Sequence, residues 1–165
     1  MGSPGAYLRK AAAPLTVTHG TREKAATKKL LHSDVTGQGL GTLIPDAIFH
    51  VGGKIQGVAD AKYKSLHPSS GAPNGPQRED LYQMAAYLGR FVPSDGRVSW
   101  GVLAYPLDPA RPSIPPAEQF SPWSLDGGRK VVFASLPHVA SDAVTQLRAL
   151  IGQMASERDV WRLQA

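Results

Sequence analysis

The sequence predicts an α/β protein whose mixed β-sheet is flanked by helices. Two observations lead to this prediction. Strand-like runs of apolar and β-branched residues occur on both sides of a segment whose apolar residues recur at helical spacing, and a second helical segment closes the chain. Strands that alternate with helices along one chain form a sheet that the helices cover. The expected order is strand, hairpin, helix, strand, strand, helix.

The length fits one domain with its own hydrophobic core. The chain has 165 residues, 42% of them hydrophobic, so we expect residues 1–165 to form a single domain. Cysteine is absent, which excludes disulfides, iron–sulfur clusters, cysteine-ligated zinc and thiol catalysis. The sequence also has neither a long apolar run nor the core of a signal peptide. We therefore expect a soluble, cytoplasmic protein without a membrane partner.

The first half of the chain is predicted to contain strands and turns. Residues 15–18 form a short strand, and the glycine-rich residues 37–41 form a turn. This turn is not a dinucleotide-binding loop, because strand-like residues rather than a helix follow it. Residues 43–51 and 54–64 are strand-like and flank a Gly-Gly pair, which is the strongest hairpin signal in the chain.

The second half of the chain is predicted to supply both helices. Residues 65–77 are rich in Pro, Gly and Ser, which indicates a loop. Residues 78–91 form an amphipathic helix, since their apolar side chains recur every three or four residues. Residues 98–107 and 130–136 are strands separated by a proline-rich loop. The Ser-Asp pair at positions 141 and 142 caps the final helix.

Three charged residues of the hairpin predict a site for a divalent cation. Asp46 lies on its first strand, and Asp60 and Lys62 share one face of its second strand. Two carboxylates and a backbone carbonyl suit Mg²⁺, which prefers oxygen ligands and keeps several of its waters. The lysine would orient or help to deprotonate an attacking water. The alternative for this pattern is an ordinary surface ion pair.

The two carboxylates can share a cation only in one hairpin register. A strict two-residue turn would pair residues whose numbers sum to 105, which places Asp46 opposite Ala59 and on the other face from Asp60. We therefore predict a bulge or a three-residue loop with sums of 106, so that Asp46 faces Asp60 and Ile44 faces Lys62.

The predicted helix has a polar stripe beside its apolar face. Asp80, Gln83 and Tyr87 fall on this stripe when successive residues are about 100° apart. At the boundary of the core they can face the hairpin. A glutamine amide can hold a phosphate or a water, and a tyrosine can donate its hydroxyl or stack on a base. The alternative is a solvated flank of the helix.

All of the excess positive charge lies in the first part of the chain. The formal net charge is +5, and residues 1–64 carry nine Lys and Arg against four acidic residues. A one-sided basic surface favours a polyanion, which makes DNA the expected partner. The alternative is a solvated basic face without a ligand. The candidate DNA-binding residues are Lys24, Lys28, Lys29 and Lys64.

Taken together, these motifs resemble a known family. The stretches IPDAIFHVGGKIQGVADAKYK, REDLYQMAAYLG and VLAYP lie between residues 42 and 138. They are similar to the PD-(D/E)XK nuclease superfamily and, within it, to the McrC-type nuclease subunit of McrBC modification-dependent restriction systems. The resemblance implies a restriction-endonuclease-like fold and a metal-dependent DNA endonuclease that acts in phage defence in a bacterium or archaeon.

The resemblance also assigns roles to five residues, and the Mg²⁺ chemistry argued for the hairpin adds the backbone carbonyl of Ala61 as a sixth. Two carboxylates and one backbone carbonyl bind Mg²⁺, or Mn²⁺ as a substitute, a lysine serves the attacking water, and a Gln-x-x-x-Tyr motif supports the substrate. The LAYP segment at residues 103–106 belongs to the pattern and is expected to be structural. The six residues, in the order of these roles, are Asp46, Asp60, Ala61, Lys62, Gln83 and Tyr87.

Two departures from the family pattern lead to an alternative function. Such nucleases carry an acidic residue on a helix before the first core strand, and residues 1–22 contain none. They also carry, ahead of the nuclease domain, a region that docks on an AAA+ GTPase of the McrB type. That region is not found in this sequence, so we expect an excised C-terminal domain or a reduced relative. The alternative is a nuclease-fold module that binds DNA or the AAA+ partner without cutting.

Overall fold

The computed structural model describes residues 15–20, 26–63, 76–92, 98–107, 122–125 and 128–161. These residues form eight strands and two helices. In chain order the elements are β1 (Leu15–His19), β2 (Lys28–His32), β3 (Gly39–Leu43), β4 (Ala47–Val51), β5 (Lys54–Ala61), α1 (Arg78–Phe91), β6 (Ser99–Pro106), β7 (Trp123–Leu125), β8 (Arg129–Leu136) and α2 (Ala140–Trp161).

Six of the strands form one mixed sheet in the order β1-β4-β5-β6-β8-β7. The pairs β1–β4, β4–β5 and β7–β8 are antiparallel, whereas β5–β6 and β6–β8 are parallel. The helix α1 lies in the connection between the parallel neighbours β5 and β6, as a crossover between parallel strands requires. The predicted α/β architecture, a mixed sheet flanked by helices, is confirmed.

The two helices cover different sides of the central strands. Met84 and Leu88 of α1 pack in one hydrophobic cluster with Leu103 of β6. Leu150 of α2 packs in a second cluster with Val102 of the same strand. Consecutive residues of a strand point to opposite faces, so each helix buries one face of the sheet. The strand β5 also packs against α1 on this face of the sheet. The polar stripe of α1 therefore lies beside the end of β5.

Several predicted elements are confirmed closely. The helix α1 occupies the predicted range, β6 is shorter than predicted by one residue at each end, and β8 begins one residue earlier than predicted. The final helix begins at Ala140, before the predicted Ser-Asp cap. Within the described part of the chain, neither helix is long and apolar enough to cross a membrane.

Two strand predictions were wrong in detail. The predicted strand at residues 43–51 is interrupted, because Pro45 has no N–H group with which to continue a ladder. Leu43 therefore ends β3, β4 begins at Ala47, and Asp46 lies just before a strand instead of on one. The following strand ends at Ala61 and not at residue 64, which lies outside the described residues.

The predicted glycine turn and the proline-rich loop each contain part of a strand. The turn is tighter and earlier than predicted, with the Ser33 N–H bonded to the Gln38 carbonyl. The glycines at 39 and 41 then belong to β3, which pairs with β2 in a separate two-stranded sheet. The short β7 lies where a loop was predicted, because it adds to the edge of β8 after Pro122.

Candidate active site

The hairpin formed by β4 and β5 has the predicted register. Residue pairs from Ala47↔Ala59 to Phe49↔Gly57 sum to 106, and a bulge between Phe49 and His50 changes the sum to 105 near the turn. The bulge therefore sets the register of the rest of the hairpin. The predicted pairing of Ile44 with Lys62 is not formed, because the ladder begins only at Ala47.

The two predicted carboxylates meet at the end of β5. Asp46 precedes the ladder by one residue, and its Oδ2 accepts a 2.7 Å hydrogen bond from the N–H of Ala61. Asp60 is the last buried residue of β5 and has an exposed fraction of 6%. Asp46 and Asp60 line the same open groove, whose volume is about 540 Å³.

Lys62 contacts residues from both sides of this groove. Its Nζ lies 2.5 Å from Oδ2 of Asp60, as the shared strand face predicts. It also donates a 2.5 Å hydrogen bond to Oε1 of Gln83 and lies 3.5 Å from Oδ1 of Asp80, both on α1. The backbone holds Lys62 in place as well, since its N–H donates to the carbonyl of Ala104 on β6. The ammonium therefore joins β5 to α1.

The polar stripe of α1 faces the hairpin, as the helical spacing predicts. The amide Nε2 of Gln83 donates a 2.7 Å hydrogen bond to the hydroxyl of Tyr87. That hydroxyl in turn donates to the carbonyl of Ile44 at 3.2 Å, just ahead of Asp46. Both polar atoms of the Gln83 side chain are thus used within the site, and they fix the spacing between Lys62 and Tyr87.

Burial raises the pKa values of two side chains in the groove, Asp60 and Tyr87. Removal of Asp60 from water raises its pKa above the ordinary value of 3.8, while the hydrogen bond and charge of Lys62 oppose this shift. Burial, with the charge of Asp60 as a further cause, raises the pKa of Tyr87 to about 12. Tyr87 is therefore a protonated hydrogen-bond donor at neutral pH. A cation beside Asp60 would favour the ionised carboxylate.

The donor set fits a hard cation that keeps most of its own waters. Within the described ranges, no group of three or more His, Cys, Asp or Glu side chains is placed to hold a metal ion. Two carboxylates with a backbone carbonyl are sufficient for Mg²⁺, which is often bound through one or two carboxylates and retains its water. Asp46 and Asp60 are the side chains that could hold it, with the carbonyl of Ala61 beside them.

Two site residues were missed by the sequence reasoning. The sequence predicts Asp80 on the polar stripe of the helix without a role of its own. It predicts Tyr105 only as part of the structural segment at residues 103–106. The structure joins them, because the Tyr105 hydroxyl donates a 3.0 Å hydrogen bond to Oδ2 of Asp80. Burial, and next the charge of Asp80, raise the pKa of Tyr105. The only sequence signal for this pair was the position of Asp80 one turn before Gln83.

The predicted DNA-binding lysines make structural contacts where they are described. The Nζ of Lys28 donates to the carbonyl of Arg90 at 2.9 Å and lies 5.1 Å from the centre of the Phe91 ring. The Nζ of Lys29 donates to Oγ1 of Thr42 at 2.6 Å. The contacts of Lys28 tie the β2–β3 sheet to the end of α1, whereas that of Lys29 joins β2 to β3. The other two predicted residues, Lys24 and Lys64, lie outside the described residues.

Comparisons with known proteins identify relatives of this chain. The model of the McrBC family, described as McrBC 5-methylcytosine restriction system component, matches residues 7–106. Among solved structures, the chain resembles one in a refined half-complex from the tetradecameric assembly of Thermococcus gammatolerans McrB AAA+ hexamers with bound McrC, with a TM-score of 0.50 and 16% sequence identity. The match covers 78% of this chain and 28% of that chain, and at this identity it concerns the fold alone. No curated protein matches the sequence.

Proposed function

The chain belongs to the family of McrBC 5-methylcytosine restriction system components, and on that premise we propose that it is a metal-dependent nuclease that hydrolyses phosphodiester bonds in DNA. The proposal includes membership of the PD-(D/E)XK superfamily. In this scheme the Pro-Asp motif ends at Asp46, and Asp60 and Lys62 form the Asp-x-Lys motif. Mg²⁺ is the expected cofactor and Mn²⁺ its substitute.

The charge of the groove is the observation that supports this function best. Three carboxylates, those of Asp46, Asp60 and Asp80, share the groove with the single ammonium of Lys62. The formal charge of the lining side chains is therefore −2, which a divalent cation balances. An ordinary surface ion pair would be exposed, whereas the side chains of Asp60 and Lys62 are 8% and 12% exposed. This burial disfavours the surface ion pair as an alternative.

The residues of the groove suit the hydrolysis of a phosphodiester. A bound Mg²⁺ would lower the pKa of a water and stabilise the negative charge that develops on the phosphate. The ammonium of Lys62 donates hydrogen bonds into the groove and can orient the attacking water. Gln83 and Tyr87 hold that ammonium and the backbone at Ile44 in place. Their geometry supports a positioning role near the substrate.

Metal binding is tested directly by calorimetric titration of Mg²⁺ and Mn²⁺ into the protein. We expect weak binding of both ions, which Asp60→Asn weakens by roughly tenfold or more, as is typical when groups at a metal site are removed. Asp34→Asn is the matched control, because Asp34 is an exposed acid in the turn between β2 and β3. Identical titrations for the wild type and Asp60→Asn would exclude the proposed metal site.

The basic segment is proposed to bind DNA through its phosphates. Replacing both Lys28 and Lys29 by Glu should weaken binding to all duplex sequences alike. The slope of the logarithm of the binding constant against the logarithm of salt concentration should become shallower by about one for each phosphate that is no longer neutralised. Arg129→Glu with Lys130→Glu changes the charge equally on β8, a strand of the other sheet, and serves as control. Thermal melts check that the β2–β3 sheet remains docked. An unchanged slope would assign the segment to a solvated face.

The alternative function is a module that binds DNA or an AAA+ GTPase partner without cutting. The similarity to a chain from an assembly of McrB hexamers with McrC supports a partner of this type. The match spans about a quarter of that chain, so the docking of such a partner on these residues is part of the proposal. Metal binding without any cleavage of DNA would favour this alternative.

A further inference from the structure

Asp80 is a buried carboxylate that the proposed cation site does not use. It lies in the first turn of α1 and has an exposed fraction of 5%. Its Oδ2 accepts the hydrogen bond from Tyr105, whose side chain is 2% exposed in the core between α1 and the sheet. Burial of an ionised carboxylate is costly unless charged and hydrogen-bonding partners compensate. The retention of a carboxylate at this position therefore needs a reason.

Lys62 is a charged partner of Asp80. Its Nζ lies 3.5 Å from Oδ1 of Asp80 and 2.5 Å from Oδ2 of Asp60. An ammonium has three hydrogens to donate and no acceptor, and among the described residues Lys62 has three oxygen neighbours, one each from Asp60, Gln83 and Asp80. Two of the three belong to α1. The helix thus supplies most of the environment of a lysine that belongs to the hairpin.

We infer that Asp80 is a positioning residue that holds the ammonium of Lys62 at the groove, with Tyr105 fixing the orientation of the carboxylate. A divalent cation that binds Asp60 repels an ammonium on the same carboxylate, since like charges at this separation oppose each other strongly. Asp80 provides an anionic partner from a different element, so Lys62 remains at the groove when Asp60 binds the cation. The part of the inference that concerns the cation rests on the proposed function, whereas the tethering of Lys62 does not.

Direct ligation of a cation by Asp80 agrees less well with the geometry. One of its carboxylate oxygens accepts from Tyr105 and the other faces Lys62. Asp46 and Asp60 meet at the end of β5, and Lys62 lies between that point and α1. Asp80 therefore acts through Lys62.

The tether is tested without metal by NMR of the lysine side chains in ¹⁵N-labelled protein. Lys62→Arg assigns the Nζ resonance, and the exchange rate of its ammonium hydrogens with water is measured. We expect exchange roughly tenfold faster in Asp80→Asn, a scale between those of exposed and buried ion pairs that lose one partner, and partial restoration in Asp80→Glu. An unchanged rate in folded Asp80→Asn would overturn the inference. If that variant does not fold, Tyr105→Phe keeps the carboxylate and should still accelerate exchange, and an unchanged rate there would overturn it.

A second measurement separates a tether from a direct ligand. Mn²⁺ affinity is compared for Asp80→Asn in the wild-type chain and in a Lys62→Met background. We expect a severalfold larger loss when Lys62 is present, because the released ammonium then competes for Asp60. Equal losses in both backgrounds would show that Asp80 acts on the cation without Lys62 and would contradict the inference. If the wild type binds no Mn²⁺, the proposed metal site fails, and the NMR result alone decides the tether.

Discussion

Asp60→Asn and Lys62→Ala are each expected to slow the Mn²⁺-dependent nicking of duplex DNA by this chain by about 100-fold or more. Rates fall on this scale when a group that assists proton transfer is removed. The wild type should cut poorly or not at all in Mg²⁺, because two carboxylates of the described residues meet at the end of β5 and residues 1–22 contain no acidic residue that could serve as the further carboxylate of the proposed PD-(D/E)XK site. Mn²⁺ should support slow, unspecific nicking. The measurement is conversion of supercoiled plasmid to open circles.

Control variants separate nicking by this chain from nicking by a contaminating nuclease. Asp34→Asn, a change in an exposed acid outside the groove, should leave nicking unchanged. Nicking that survives both Asp60→Asn and Lys62→Ala would identify a contaminating nuclease. Rapid Mg²⁺-dependent cutting by the wild type would show that two carboxylates at this groove suffice. No cutting with either ion, together with metal binding, would favour the binding module.

Gly57→Ala is expected to cause a large loss of stability. A Cβ at residue 57 would overlap the carbonyl oxygen of Trp100, which belongs to the neighbouring strand β6 and cannot move as a flexible side chain could. Overpacking of this kind costs about 3 kcal/mol, so the melting temperature should fall by roughly 6–12 °C for a domain of this size. Gly57 also adjoins the bulge, so the register that joins Asp46 to Asp60 should be lost with it.

The matched control is Gly89→Ala in α1. A Cβ at Gly89 meets no atom within 4 Å, and alanine is favoured over glycine inside a helix by about 0.5–1 kcal/mol. Thermal melts should therefore show a small gain for this variant. A Gly57→Ala chain as stable as the wild type would mean that β5 and β6 are less closely paired than the structure indicates.

Much of the fold followed from local patterns. The bounds of α1 could be predicted because an apolar repeat of three or four residues suits only a helix, and proline-rich and glycine-rich segments end it on both sides. The hairpin followed from a Gly-Gly pair between strand-like runs. The bulge followed from a chemical requirement, since Asp46 and Asp60 can share a face only if one residue is added to the register.

Other features depended on contacts that local patterns do not contain. The break at Pro45 was overlooked because the apolar run on either side of it is continuous in the sequence. The short strand β7 forms only because β8 offers it an edge. The sequence predicts a free basic surface at Lys28 and Lys29, whereas in the structure the side chain of Lys28 contacts the end of α1 and that of Lys29 contacts β3.

The sequence by itself determined both helices and most strands of the six-stranded sheet, the register of the hairpin and the choice of Asp46, Asp60 and Lys62 as one polar group. Helical and strand periodicity and turn chemistry act between near neighbours, so a single stretch of sequence contains them. Only the tertiary structure decided that Lys62 is shared between Asp60 and Asp80, and that Tyr105 holds Asp80. These partners lie on β5, α1 and β6, and their meeting depends on how α1 packs across the two strands. That packing is set by the whole buried face of the sheet, which no single stretch of sequence contains.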